Sequence, residues 1–162
     1  MKNTYLPLLM FALLSLTRPA MAGTLAKWLG QTVYVPVYSQ IYVEDRYKGN
    51  PFLLTVTLSI RNTDPGKPFT LKSVNYYDSE GILLRQYLDK PIVIGALGST
   101  HYIVPESETK GGVGAKFLIE WEATTAVTEP IVESVMIGTR MQQGISFLST
   151  GRIIKGSPEL SP

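Results

Sequence analysis

Apolar side chains return at every second position along much of this chain, which is the period of extended strands and not of helices. Between Phe52 and Ile60, the set Leu54, Val56, Leu58 and Ile60 alternates with Thr55, Thr57 and Ser59, predicting one buried and one wet face. Gly114 to Ala123 repeats the scheme, with Ala115, Phe117, Ile119 and Trp121 inward, Lys116, Glu120 and Glu122 outward, and Leu118 out of phase. Further strand-like runs cover Thr32–Val43, Phe69–Tyr77, Ile82–Leu88, Ser99–Val104, Ile131–Thr139 and Ile145–Ile154. Turn chemistry separates them at Asn62–Gly66, Asp78–Gly81, Gly95–Gly98, Lys110–Gly114 and Gln142–Gly144. Short strands with no long amphipathic helix between them predict an all-β fold, an antiparallel immunoglobulin-like or Greek-key β-sandwich of about eight strands.

Breaks in the pattern refine this outline. In Phe69–Tyr77 the apolar phase slips from Phe69 and Leu71 to Val74 and Tyr76, which predicts a bulge near Ser73. Asp78-Ser79-Glu80-Gly81 marks the clearest hairpin. Pro36 cannot donate to a ladder, so the first strand is expected at a sheet edge. Residues 155–162, which include Pro158 and Pro162, are expected to form a disordered tail.

The first residues follow a different rule. Lys2, the apolar run Leu6–Leu16 and the small-x-small triplet Ala20-Met21-Ala22 together read as a secretory signal peptide, helical before removal and cut between Ala22 and Gly23. The run is shorter than the roughly 20 apolar residues a membrane span needs, and Arg18 and Pro19 end it. No Cys is present to be acylated. These features predict release without a stable membrane anchor, into a periplasm or the medium, of one β-sandwich domain over residues 23–154.

Removing that segment changes the charge. The chain carries 15 Lys and Arg against 13 Asp and Glu, and Lys2 and Arg18 account for the excess, so the mature domain is neutral. With no clustered basic run, nucleic acid is excluded as a partner. The absence of Cys excludes disulfides, thiolate nucleophiles and Cys-ligated metals.

Candidate catalytic sets do not assemble from the remaining residues. His101 is the single histidine, so a Ser-His-Asp arrangement must use it, yet Gly144-Ile145-Ser146-Phe147-Leu148 lacks the second glycine of a nucleophile elbow. A strand histidine satisfied locally explains it as well. Glu106/Glu108, Glu120/Glu122 and Glu129/Glu133 are carboxylate pairs, and Glu120 and Glu122 are expected about 7 Å apart on one strand face. A solvated outer face explains that pair fully. Asp78, Glu80, Glu106 and Glu108 supply loop oxygens for a calcium ion, but without EF-hand spacing. Gly111-Gly112-Val113-Gly114 enters a strand and lacks the Lys-Ser/Thr of a phosphate loop, so a tight turn is the simpler reading. No cofactor or metal is expected, and the protein reads as a non-enzyme.

Two surfaces suit binding. Tyr34, Tyr38 and Tyr42 fall on one face of the first strand, with Val33, Val35 and Val37 on the other. The polar loop Pro105–Gly114 carries Glu106, Ser107, Glu108, Thr109 and Lys110. Strand packing and turn formation are the plain alternatives for each.

The blocks TVYVPVYSQIY (32–42), LTVTLSIRNTDP (54–65), VNYYDSEG (74–81), YLDKPI (87–92), ETKGGVGAKFLIEW (108–121), EPIVESVMIGT (129–139) and QGISFLSTGR (143–152) occur in an order that resembles the bacterial family called domain of unknown function 3124. The resemblance covers nearly all of the mature chain and implies an exported bacterial protein with no assigned activity. More loosely, a strand ending in Ile60-Arg61-Asn62-Thr63 before a turn resembles late-embryogenesis-abundant sandwiches, which implies a fold and no function. The expected function is a non-enzymatic binding or accessory module of the bacterial envelope with a protein or polysaccharide partner. The alternatives are a structural or stress-related envelope protein, and last a hydrolase using His101 or a carboxylate pair.

Overall fold

Twelve antiparallel strands form the fold, several of them short: β1 (Lys27–Pro36), β2 (Gln40–Ile41), β3 (Phe52–Leu53), β4 (Thr55–Arg61), β5 (Phe69–Tyr77), β6 (Leu83–Gln86), β7 (Ile92–Ile94), β8 (Ser99–Val104), β9 (Lys116–Thr128), β10 (Ile131–Arg140), β11 (Gln143–Thr150) and β12 (Arg152–Pro158). The structure is a computed structural model that describes residues 26–42, 50–140 and 143–158. The expected signal segment, residues 1–22, and its expected Ala22–Gly23 junction lie outside the described residues. Among those residues no helix is long and apolar enough to cross a membrane.

One layer has strand order β12-β1-β9-β5-β6, with β7 also on β5, and the other has β11-β10-β4-β8. A small pair, β2 and β3, stands apart. The inward side chains of both layers meet in one core. From the first sheet come Val33, Val35, Leu71, Val74, Phe117, Ile119 and Trp121, and from the second Val56, Leu58, Ile60, Val104, Val132 and Met136, all buried. Burying one face of each sheet against the other supplies the main stabilisation of such a sandwich, about 25 cal/mol per Å² of apolar surface.

The predicted two-residue period is realised. The β9 inward set Phe117, Ile119 and Trp121 is buried while Glu120 and Glu122 are exposed, and the half-buried Leu118 lies on the outer face opposite Tyr34. The phase slip in β5 is also real, since its register against β9 shifts between Leu71 and Ser73. At the Asp78–Gly81 hairpin, Asp78 N–H donates to Ile82 O at 3.0 Å, Asp78 Oδ1 accepts from Ile82 N–H at 2.7 Å, and Gly81 takes a positive φ of 85°.

Two expectations are corrected. The first strand is not an edge: β1 pairs with β9 on one side and β12 on the other. Pro36 is tolerated because it is the last residue of β1, where no further ladder bond is needed from it. Residues Lys155–Pro158 are not a disordered tail, because β12 runs on to Pro158 and pairs Lys155, Gly156, Ser157 and Pro158 with Thr32, Gln31, Gly30 and Trp28. A proline at the end of an edge strand costs the ladder nothing, so Pro158 does not stop the pairing.

β11 and β12 are edges of different sheets yet adjacent in sequence, so the chain crosses from one layer to the other at Gly151. There Gly151 N–H donates to Val132 O at 2.8 Å. A Cβ at this point would lie 2.7 Å from Val33 Cγ1 and 3.0 Å from Val132 O, so the crossing needs a residue without one.

Candidate functional site

The loop between β8 and β9 is tied to the fold through Glu108 and the backbone of its glycines. Glu108 accepts from Tyr76 Oη at 2.9 Å, from Lys110 N–H at 2.8 Å and from Gly111 N–H at 3.2 Å. Gly112 N–H donates to Ser39 Oγ at 2.8 Å, and Ser39 N–H donates to Gly112 O at 3.1 Å. Ser79 Oγ donates to Gly111 O at 3.0 Å and accepts from Gly114 N–H at 3.1 Å. Lys116 Nζ donates to the carbonyl of Asp78. Gly112 has a φ of 74°, which supports the tight-turn reading of the glycine run. Burial first, and the Glu108 carboxylate second, push the Tyr76 hydroxyl well above its ordinary value.

These bonds place the loop candidates. Glu106, Thr109 and Lys110 are exposed, and Glu108 is half-buried with both oxygens engaged within the fold. The Ser39–Gly112 contacts bring the segment Tyr38–Tyr42 to the same end as this loop. The tyrosines do not form one stripe, however. Tyr34 is half-buried on the outer face of the six-stranded sheet, Tyr38 packs edge-on against Phe147 at 5.5 Å, and Tyr42 stands 53% exposed. β1 ends at Pro36, and Tyr38 and Tyr42 lie beyond it.

The candidate carboxylates are dispersed. Glu122 meets Lys72 Nζ at 2.7 Å on an open face, and Glu133 pairs with Arg61 at 2.5 Å. His101 is exposed on β8 opposite Ser59, on the same face as Ser99. Among the described residues no group of three or more His, Cys, Asp or Glu side chains is placed to hold a metal ion. At the opposite end of the sandwich, Asn62 and Asp64 tie the β4–β5 turn. Asn62 Nδ2 donates to Lys67 O at 2.8 Å and to Gly95 O at 2.9 Å, and Asp64 accepts from Gly66, Lys67 and Thr128 N–H. The Asn62-Thr63-Asp64 block therefore does structural work.

Two features were not read from the sequence. The first is an apolar row on the outer face of the four-stranded sheet. Register sets Leu148, Val135, Thr57 and Ile103 side by side across β11, β10, β4 and β8, with Leu148 53% and Ile103 48% exposed. Ile137, one step along β10, is 51% exposed. The signal was present in Ile131–Thr139, where both phases are apolar.

The second is a cavity of about 220 Å³ beneath Gly151, at the margin where the two layers meet, walled mainly by Val33, Ile131, Val132 and Ile153, with Gln31, Thr150 and Glu129 as its polar lining. Gln31 is 5% exposed, and neither its Oε1 nor its Nε2 has a partner. It sits at an inward β1 position in phase with Val33, Val35 and Val37, one residue before the strand expected from the pattern.

The fold and these surfaces define an all-β sandwich module. The family model for proteins of unknown function called DUF3124 matches residues 30–154, and the chain belongs to that family. No curated protein matches the chain. Among solved structures, the crystal structure titled Thermotoga maritima 1070 matches with 12% identity and a TM-score of 0.43, over 78% of this chain and 97% of that one. That likeness is too distant to bear on function.

Proposed function

We propose that this protein is an exported, non-enzymatic binding or accessory module of the bacterial envelope that engages a partner protein through the outer face of its four-stranded sheet. The row Leu148–Val135–Thr57–Ile103 carries this reading. Apolar side chains exposed near one another on a sheet face, here Leu148, Ile137 and Ile103 around the half-buried Val135 and Thr57, favour a covering partner, because each uncovered Å² forgoes burial. The ion pair of Arg61 with Glu133 and the exposed His101 border the row, as a polar rim borders an interface core. The signal-like segment Lys2–Ala22 supports export, and its neutral mature domain fits a soluble module.

Photo-crosslinking side chains placed at Leu148 and at Ile103 are expected to trap one discrete adduct in envelope preparations. The same group at Glu120, on the outer face of the other sheet, is the control. Leu148→Lys is expected to abolish the adduct without changing the melting temperature. Equal labelling from all three positions, or none from Leu148 and Ile103, would sink the proposal. The N-terminus of the exported protein, read by mass spectrometry, is expected at Gly23.

A further inference from the structure

We infer that the cavity beneath Gly151 is a binding site for a small neutral ligand that carries a carboxamide head on an aliphatic body. Among the described residues, four buried side-chain polar atoms lack a partner: Trp28 Nε1, Gln31 Oε1, Gln31 Nε2 and Trp121 Nε1. They belong to one corner of the fold. Trp121 is the ladder partner of Gln31 on β9, and Gly156 is its partner on β12. The ring of Trp28 covers Gly156, since a Cβ there would lie 2.6 Å from Trp28 Cζ3. Residues paired across an antiparallel ladder project to the same face, so both indoles flank the Gln31 amide on the side it faces.

Buried polar groups are almost always paired, and a buried amide with both ends free is costly. Of the four atoms, the two on Gln31 belong to a residue that lines the cavity. A primary amide presents a carbonyl acceptor and two N–H donors in one plane, and a second amide is its complement, pairing with the carbonyl and the N–H beside it at once. A single hydroxyl can donate to Oε1 and accept from Nε2 only through one oxygen with bent bonds, whereas a second amide meets both with two nearly parallel ones. A carboxylate brings a charge into a cavity whose lining holds no Lys or Arg and does include Glu129. The Val33, Ile131, Val132 and Ile153 walls fit a branched alkyl body. This site is independent of the sheet face proposed above.

The chain's two tryptophans both lie in this corner, so they report on it directly. The exported domain, labelled with ¹⁵N, is titrated with isobutyramide, isobutanol and isobutyrate. The indole N–H signals of Trp28 and Trp121 and the side-chain amide of Gln31 are expected to shift saturably with isobutyramide, at concentrations at least about tenfold lower than for the other two. Gln31→Leu is expected to remove the response, and Thr150→Val, which leaves the amide in place, to keep it. An absence of saturable shifts with isobutyramide, with ordered waters on Gln31 in a crystal, would overturn the inference. So would an equal response to all three probes.

Discussion

Gly111→Ala is the sharpest test of how the β8–β9 loop is held. The Gly111 φ is not positive, so alanine suits the backbone and the obstacle is packing alone. A Cβ there would lie 1.9 Å from Tyr76 Oη, 2.9 Å from Tyr76 Cζ and 3.0 Å from Ala115 Cβ. Tyr76 cannot step aside freely: it is 1% exposed, its ring packs on Phe117 at 5.1 Å, and its hydroxyl donates to Glu108 at 2.9 Å. Relief therefore moves the ring or the loop and breaks the Tyr76–Glu108 bond. Overpacking of this kind and a lost bond to a charged acceptor together cost about 2–3 kcal/mol, or about 10 °C in melting temperature for a domain of this size.

Tyr76→Phe alone loses the bond, while Glu108 keeps the Lys110 and Gly111 N–H groups, so its expected cost is about 1–2 kcal/mol. In the double variant the hydroxyl that meets the new methyl is gone, and the bond is already lost. The two costs then fall short of their sum by about 1–2 kcal/mol. Urea unfolding of the four proteins measures this coupling. Gly144→Ala, where nothing lies within 4 Å of the new Cβ, is the control and is expected to change stability by less than about 0.5 kcal/mol. Additivity of the two substitutions, or a neutral Gly111→Ala, would refute the reasoning.

The ends of the pH range give two further predictions. The N–H of Gly66 chiefly, with those of Thr128 and Lys67 and the charge of Lys27, holds the Asp64 carboxyl below its ordinary value against the opposing effect of burial. A depressed folded value contributes stability that is present above the unfolded value and lost as pH falls through the folded one. Asp64→Asn is therefore expected to lower the urea midpoint at pH 7 and to flatten its fall below about pH 4. At the alkaline end, burial raises the hydroxyls of Tyr76, Tyr87 and Tyr102, so the stability they lend is present below about pH 10 and lost as pH rises through their folded values. Absorbance at the phenolate band should show these three titrating only with unfolding. Ionisation of Tyr76, Tyr87 and Tyr102 near pH 10 in the native state would contradict it.

Period and turn chemistry made the layers legible. The alternations in β4 and β9, the bulge before Ser73 and the Asp78–Gly81 hairpin all follow from local residues, because a strand with one buried face leaves a direct record in sequence. What was not legible depends on pairing between distant strands. Pro36 signals only that one residue lacks a donor, and says nothing of β9 or β12 arriving on either side of β1. The apolar row needs the registers of four strands before Leu148 and Ile103 become neighbours. Gln31 is a single polar residue in an apolar phase, and its meaning appears only when β12, Trp28 and Trp121 close around it. The tyrosine stripe failed as a stripe because β1 ends at Pro36 and Tyr38 turns in to pack on Phe147, which a pattern of two cannot anticipate.

The placement of β1 between β9 and β12 fixes an order of assembly. The first strand of the domain, ending at Pro36, finds its partners in Lys116–Thr128 and Arg152–Pro158, so its hydrogen-bonding edges stay open until both of those distant segments have been made. Closing loops of that length slows folding, as the entropy of bringing distant segments together must be met before their contacts form. No N-terminal fragment holds a complete six-stranded sheet. The strand Arg152–Pro158 therefore seals the six-stranded sheet, and its removal is a loss that no earlier strand can make good.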